Sequence, residues 1–196
     1  MPPKERITKE MIIDAAFDIL SQQGEEAINV RAIAQKLGCS TQPVLYRFGS
    51  IEDIKREVYL KADRFHAEYI TDIRGRYEMP MLEIGVLYIR FALEHRNLFR
   101  YLFQSDKFEH SSLEDLMAQD DLGEIIGIVA QAVETDEEKA RDIFASLFLT
   151  AHGFASLLAN NAMTYDEQYA VKMLNVAFFG AVGAAKGEFE NNEKTS

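Results

Sequence analysis

The sequence predicts an all-α protein made of a three-helix helix-turn-helix head and a six-helix body. Apolar residues recur three and four positions apart along most of the 196 residues, which is the periodicity of amphipathic helices. No segment shows the strict alternation that is typical of a half-buried β-strand. Two short amphipathic segments joined by a glycine lie between residues 29 and 48, and this arrangement is typical of a helix-turn-helix.

The first helix is predicted from Thr8 to Gln23. Apolar residues follow the helical spacing from Ile12 to Leu20 and give the segment one continuous apolar face. Thr8 is suited to cap the start of the helix, and Gly24 is suited to end it. We expect this helix to supply the surface against which the next two helices pack.

The stretch from residue 29 to 48 predicts the helix-turn-helix itself. Asn29 is placed to cap a helix over residues 30–37, and Gly38 can adopt the left-handed conformation that ends such a helix. Ser40 is expected to cap the second helix, with its hydroxyl accepting a hydrogen bond from the N–H of Gln42. The missing N–H of Pro43 costs nothing in the first turn of that helix.

The second helix carries the side chains that suit DNA. We expect Val44, Leu45 and Phe48 to anchor it in the core, which leaves an outward face formed by Thr41, Gln42, Tyr46 and Arg47. Glutamine can bond adenine bidentately, arginine can bond guanine or a phosphate, and the methyl of threonine or the ring of proline can meet a thymine methyl. Any two amphipathic helices joined by glycine look similar, however, so spacing alone leaves a purely structural helix-turn-helix open.

Six further helices are expected after the head. The predicted boundaries are a DNA-binding domain over residues 1–50, an effector-binding and dimerisation domain over 51–190, and a polar tail over 191–196. A long helix should begin after the cap Ser50, end near Gly75 and connect head to body. The others are predicted at Pro80–His95, at Asn97–Phe103, from Ser111 or Ser112 to Val133, from Thr135 to Asn160, and from Thr164 to Gly187.

Composition limits the classes of function. Residues 1–56 hold equal numbers of basic and acidic residues, so the whole net charge of −11 falls on the body. DNA affinity depends on local phosphate contacts, so this charge permits a DNA-binding head without supporting it. The single Cys39 excludes an intrachain disulfide and a cysteine-based zinc site. No apolar run approaches membrane-span length and no secretory signal is present, so we expect a cytoplasmic protein.

The head resembles the N-terminal domain of the tetracycline-repressor (TetR/AcrR) family of bacterial regulators. The matching pieces, between Ile7 and Ile54, are ITKEMIIDAAFDIL, the Gly24 break, VRAIAQKLGCSTQPVLYRF and GSIEDI. Leu45 stands where the family usually has tyrosine, and Ile51 where it often has a phosphate-contacting lysine. In the body, FALEHRNLFRYLF and LFLTAHGFASL resemble a C-terminal domain of one branch in which a histidine-glycine pair recurs, here His152-Gly153.

The resemblance implies a DNA-binding head on an all-helical body that binds an effector and forms a dimer. We assign base contacts to Arg31, Thr41, Gln42 and Pro43. We assign phosphate contacts to Asn29, Lys36, Ser40, Tyr46 and Arg47. The homodimer is expected to form through the last two helices and to place two recognition helices on a palindromic operator, one DNA turn or a multiple of it apart.

An effector pocket is expected among the aromatic residues of the body. The candidate residues are Tyr88, Phe91, His95, Phe99, Phe103, Phe148 and His152. Ordinary core packing is the alternative for each of them, and a buried histidine often simply bonds a backbone carbonyl. We predict no metal, no cofactor and no catalytic residues, because no phosphate loop, nucleophile elbow, zinc signature or di-iron set is present.

The sequence therefore predicts a sequence-specific regulator of transcription. The expected form is a repressor that a small-molecule effector releases from its operator. One alternative is an all-helical small-molecule-binding protein whose helix-turn-helix is structural only. Another is a helical interaction module that uses its acidic surface.

Overall fold

The computed structural model describes residues 7–105, 112–118 and 122–188. Within these ranges it contains ten α-helices, one 3-10 turn at Glu25–Ala27 and no β-strand, so the all-α prediction is confirmed. The helices are α1 (Lys9–Gln23), α2 (Val30–Lys36), α3 (Thr41–Arg47), α4 (Ile51–Thr71), α5 (Pro80–Glu94), α6 (Arg96–Phe103), α7 (Leu113–Met117), α8 (Gly123–Val133), α9 (Glu137–Asn160) and α10 (Glu167–Ala185). The predicted polar tail over residues 191–196 lies outside the described residues.

The helices form two compact units. The first comprises Met1–Asp72 with Phe91–Phe108, and the second comprises Ile73–Arg90 with Glu109–Ser196. Helix α5 contributes its last residues to the first unit and the rest to the second. Packing units need not coincide with functional domains, so the predicted division at residue 50 stays a prediction.

The core of the first unit is built on α1. Thr8 accepts a hydrogen bond from the N–H of Met11 at 3.2 Å, which caps the helix as the sequence predicts. The apolar face of α1 is fully buried, with Ile12 and Leu20 at 0% exposure. Gly24 ends the helix with φ of 88°, a conformation that glycine adopts without a Cβ clash.

The turn of the helix-turn-helix is held by its own backbone. Asn29 caps α2 by accepting from the N–H of Ala32 at 2.9 Å. At the other end, Gly38 has φ of 62° and the N–H of Cys39 donates to the carbonyl of Ala34 at 3.0 Å, the pattern of a Schellman motif. Ser40 lies at the cap position of α3, but its side chain makes no capping hydrogen bond. The predicted bond from Gln42 to the Ser40 hydroxyl is therefore wrong.

Helices α4 and α6 complete the first unit. Ser50 caps α4 by accepting from the N–H of Asp53 at 3.1 Å. The hydroxyl of Tyr101 on α6 donates to the carbonyl of Lys55 at 2.8 Å, and Tyr101 is only 2% exposed. The side chain of Asn97 donates to the carbonyl of Ser21 at 3.0 Å. These two bonds fix α6 to both α4 and α1, and they satisfy polar groups that burial would otherwise leave unpaired.

In the second unit, α9 and α10 pack on each other. Asp136 caps α9 by accepting from the N–H of Lys139 at 2.9 Å, and Asp166 caps α10 by accepting from the N–H of Tyr169 at 3.1 Å. The sequence predicted that these two helices begin at Thr135 and Thr164, whose hydroxyls could also have capped them. Aspartate caps a helix as well as threonine does, and each aspartate lies directly before its helix, so it takes the position.

The segment between α4 and α5 is held by a buried carboxylate. Helix α4 ends at Thr71 and not near Gly75. Beyond it, the backbone N–H of Arg74 donates to Glu83 at 2.9 Å and that of Arg76 donates at 3.0 Å. Glu83 is 1% exposed, and these bonds, that of Arg74 most of all, hold the pKa of its carboxyl below the usual value. The ionised carboxylate thus accepts hydrogen bonds from backbone N–H groups that lie outside both helices.

One predicted helix is two in the structure. The single helix expected up to Val133 appears as α7 and α8, so seven helices and not six follow α3 in the described parts. Ser112 caps α7 by accepting from the N–H of Asp115 at 3.0 Å, and the alternative start at Ser111 lies outside the described residues. Residue 118 forms a turn after α7, and Gly123, a weak helix former, begins α8.

Helix α9 is long and apolar, although its sequence contains no uninterrupted apolar run of membrane-span length. It is the one described helix that could cross a membrane by length and composition, with mean hydropathy of 1.4 over its most apolar window, of which 39% is buried. Core helices of water-soluble proteins pass the same test, so this is weak evidence for a membrane span. The buried side of α9 is ordinary core, with Ile143 at 0% and Leu158 at 3% exposure.

Two glycine-to-alanine changes should shift stability in opposite directions. Gly38→Ala places a Cβ at positive φ and should lower the free energy of unfolding by about 1 kcal/mol, although no atom lies within 4 Å of the new methyl. Gly127→Ala, on the exposed side of α8 and equally free of clashes, should raise it by about 1 kcal/mol. Urea unfolding of both variants against the wild type tests this pair. Destabilisation of equal size at both positions would contradict the conformational explanation.

Candidate nucleic-acid interface

Helix α3 divides into a buried side and an exposed side. Val44 is fully buried and Phe48 is 5% exposed, so these two side chains hold the helix in the core. Thr41 and Gln42 are exposed at its first turn, and Tyr46 is 82% exposed. The structure therefore brings the polar residues that suit base edges to one outward face.

Leu45 lies on the exposed side and not in the core. Its side chain is 49% exposed, so the prediction that it anchors α3 is wrong. The physical reason is that seven residues make only two turns, and Val44 and Phe48 already fill the inward positions four residues apart. Leucine is apolar on either side of a helix, so composition could not decide between them.

The cations expected at phosphates differ in what they already contact. The ammonium of Lys36 lies 3.1 Å from the carboxylate of Asp18 on α1. The Nε of Arg47 donates to the backbone carbonyl of Ile7 at 3.1 Å, and its guanidinium lies 5.9 Å from the ring of Tyr46. Arg31 is exposed on the first turn of α2, so a phosphate or a base can replace the solvent that contacts its side chain.

The two cap residues differ as well. Asn29 uses both ends of its side chain locally, because Oδ1 accepts from Ala32 and Nδ2 donates to the carbonyl of Ala27 at 3.2 Å. Ser40 is exposed and caps nothing, so its hydroxyl is available. A groove of about 640 Å³ adjoins this region and is lined by Ser40, Gln42, Pro43, Tyr46, Arg47 and neighbouring residues of α1 and the turn.

The candidate effector residues fall into two clusters, one in each unit. In the second unit, the hydroxyl of Tyr88 lies 2.9 Å from Nδ1 of His152, and the ring of Phe148 lies 5.9 Å from that of Tyr88. Burial raises the pKa of Tyr88 and lowers that of His152. Both groups are therefore neutral near pH 7, and the tyrosine O–H can donate to the imidazole nitrogen.

The other four candidates lie in the first unit around a residue that the sequence analysis did not select. The ring of His66 lies 4.8 Å from that of Phe91 and 4.9 Å from that of Phe103, while His95 lies 5.3 Å from Phe91. The ring of Phe99 lies 5.2 Å from that of Phe103, at an interplanar angle of 47°. Phe91 and Phe99 are fully buried, so packing accounts for them without a ligand.

His66 could have been found from its register. Buried positions of α4 recur every four residues at Ile54, Val58, Ala62 and His66, so the histidine continues the apolar side of the helix. Burial lowers its pKa from the usual 6.5 to about 4. In the described parts of the chain, no group of three or more histidine, cysteine, aspartate or glutamate residues could hold a metal ion.

The protein is all-helical in its described parts, and its helix-turn-helix presents an exposed face of polar residues of the kind that suits DNA. A family model described as "Bacterial regulatory proteins, tetR family" matches residues 12–58. A second, described as "Tetracyclin repressor-like, C-terminal domain", matches residues 81–181. The uncharacterized HTH-type transcriptional regulator YobS of Bacillus subtilis (strain 168) is 21% identical over 172 residues, which cover 85% of this chain and 87% of that protein.

The chain belongs to the TetR family of bacterial regulators, since the two models together cover both the head and most of the body. It is accordingly a DNA-binding regulator of transcription. The resemblance expected from the sequence is confirmed.

His66 should make stability depend on pH between 7 and 4. The unfolded chain binds a proton at this residue below pH 6.5, whereas the folded chain does so only near pH 4. The contribution of His66 is thus complete above pH 6.5 and falls by ~3 kcal/mol as the pH drops to 4. Urea unfolding across this range should show a shallower loss in His66→Phe. Parallel curves for variant and wild type would contradict the prediction.

Proposed function

We propose that this protein is a homodimeric, cytoplasmic repressor that a small-molecule effector releases from a palindromic operator. The observation that carries the proposal is the outward face of α3, on which Thr41, Gln42 and Tyr46 are exposed opposite a buried Val44. In a helix-turn-helix, the first residues of the second helix contact base edges in the major groove. The family supports a DNA-binding role for this face.

Base reading and phosphate contact are assigned to different residues. Thr41, Gln42, Pro43 and Arg31 contact bases in this proposal, with Gln42 donating to and accepting from an adenine. Ser40, Tyr46, Arg47, Lys36 and Asn29 contact phosphates. To bind a phosphate, Lys36 has to give up its contact with Asp18, and Asn29 has to bind one in addition to making its capping bonds. These two residues therefore contribute less to phosphate binding than exposed groups without such contacts would.

The dimer is proposed to form through α9 and α10. Both helices expose large apolar residues, with exposed fractions between 50% and 60%: Leu149, Leu157, Tyr169, Val176 and Phe179. Along α10, Tyr169, Val176 and Phe179 lie seven and three positions apart, so they fall on one stripe, in which Lys172 also lies. Exposed Gly180 lets a partner helix approach closely. Two such helices from each protomer make a four-helix interface.

The effector is proposed to bind beside Tyr88, Phe148 and His152 in the second unit. Two neutral polar groups among aromatic rings suit a largely apolar compound that offers one hydrogen-bonding group. The compound lowers operator affinity only to the extent that it binds better to the form in which the two heads no longer match the half-site spacing.

The proposal is tested by selecting bound duplexes from a random DNA pool at about 0.1 M salt, a condition under which phosphate contacts are screened but not abolished. We expect a palindrome whose half-sites lie one helical turn apart, about 34–36 Å. The absence of any enriched sequence, at low salt as well, would refute sequence-specific binding by this head.

Gln42→Ala should weaken binding to the selected operator by ~1–3 kcal/mol and relax the preference at one base pair. The reason is the loss of a bidentate bond to one base, while phosphate contacts remain. Titration of the variant with the operator and with a random duplex measures its affinity for each. If the two affinities fall by the same factor, Gln42 is not a base reader.

The pair formed by Lys36 and Asp18 should control non-specific affinity. Lys36→Ala should weaken all sequences evenly and lower the slope of log K against log salt by about 0.9. Asp18→Asn releases Lys36 and should strengthen binding to all sequences. The matched control is Asp14→Asn, which removes the same charge from α1 but releases Lys61. Equal gains for both aspartate variants would assign the effect to net charge alone.

Phe179→Glu should dissociate the dimer, because Phe179 is 60% exposed on the proposed interface and a buried unpaired carboxylate is costly. Light scattering after size exclusion should give the mass of one chain for the variant and of two chains for the wild type. The matched control is Ile128→Glu, at a residue of α8 that is 50% exposed. Two chains in the Phe179 variant would place the interface elsewhere.

A further inference from the structure

We propose that Leu45 reads thymine, by packing its side chain against the 5-methyl group of a thymine in the half-site that α3 enters. This inference rests on the proposed function, because it assigns a specificity-determining residue to the same DNA-reading face. Neither the family match nor the relative assigns a role to this residue.

The position of Leu45 on α3 supports a contact with bases. Leu45 follows Gln42 by three residues, so the two side chains are about 60° apart around the helix axis, and it follows Thr41 by four residues, about 40° apart. Thr41, Gln42 and Leu45 are all exposed, whereas Val44, which directly precedes Leu45 in the sequence, is fully buried. A duplex that contacts Thr41 and Gln42 therefore also covers Leu45.

The chemistry of the side chain limits what it can recognise. Leucine has no hydrogen-bond donor or acceptor, so it can bond neither a phosphate nor a polar base edge. The apolar group that the major groove presents is the thymine methyl. Gln42 on the same face is suited to adenine, which pairs with thymine. Both residues thus favour A·T pairs, and their proximity on the helix predicts such pairs at the same or neighbouring positions of the half-site.

Leu45 does not line the groove beside α3. Gln42, Pro43 and Tyr46 line that groove, whereas Leu45 lies on the opposite flank of Gln42 and is not part of its wall. An isolated exposed leucine is common on protein surfaces. Here, however, it lies on a seven-residue helix whose outward face is proposed to enter DNA, so its exposed surface leaves water when the complex forms.

The test removes single methyl groups from the operator. Each thymine of the selected half-site is replaced by deoxyuridine, one at a time, and the Kd is measured for the wild type and for Leu45→Ala. We expect one replacement to weaken the wild type about fourfold, the value of one buried methyl group, and to leave Leu45→Ala unchanged. Leu45→Met, which stays apolar, should keep the penalty, and Leu45→Asn, of similar shape but polar, should lose it.

The possible results separate this inference from the proposed function. If the wild type binds the operator and Leu45→Ala shows the same deoxyuridine penalties as the wild type, the proposed role of Leu45 is overturned and the proposed function still holds. A pool that yields no operator would overturn both. Leu45 is half-exposed, so thermal melts of the three variants should match that of the wild type. If Leu45→Ala melts at a much lower temperature, the deoxyuridine penalties of Leu45→Met and Leu45→Asn decide whether Leu45 reads thymine.

Discussion

The geometry of the reading face depends on the burial of two very short helices against α1. Helices α2 and α3 have seven residues each, and isolated helices of that length are not stable in water. They persist because Ile33 and Val44, both fully buried, pack into the core that the apolar face of α1 begins. The turn between them adds backbone hydrogen bonds but little apolar burial. Every DNA contact proposed for α3 therefore rests on packing that lies behind it.

The sequence was most informative where a good capping residue marks the start of a helix. The starts of α1, α2 and α4 followed from Thr8, Asn29 and Ser50, whose side chains bond the expected turns. Periodicity failed on α3, since two turns do not distinguish a core leucine from an exposed one. The cap of α9 was misplaced by one residue because neighbouring Thr135 and Asp136 are both good caps. No local pattern could reveal the contact between Lys36 and Asp18, which lie in different helices.

Three lysines of the first unit are already engaged in ion pairs. Lys36, Lys55 and Lys61 each contact a carboxylate, two of them on α1 and one at the 3-10 turn. Partly exposed pairs of this kind contribute little to stability. Their effect is to reduce the electrostatic field that attracts any duplex. On the proposed function, operator affinity therefore has to come mainly from contacts of α3 with particular bases, at the expense of non-specific affinity.

The separation of α3 into a packed side and an open side has an evolutionary consequence. Val44 and Phe48 hold the helix, while Gln42 and Leu45 are exposed. Substitutions on the open side therefore cost the fold little, and surface changes of this kind seldom alter stability by more than about 0.5 kcal/mol. Duplicated copies of such a gene could acquire new operators by changing one or two side chains without passing through unstable intermediates.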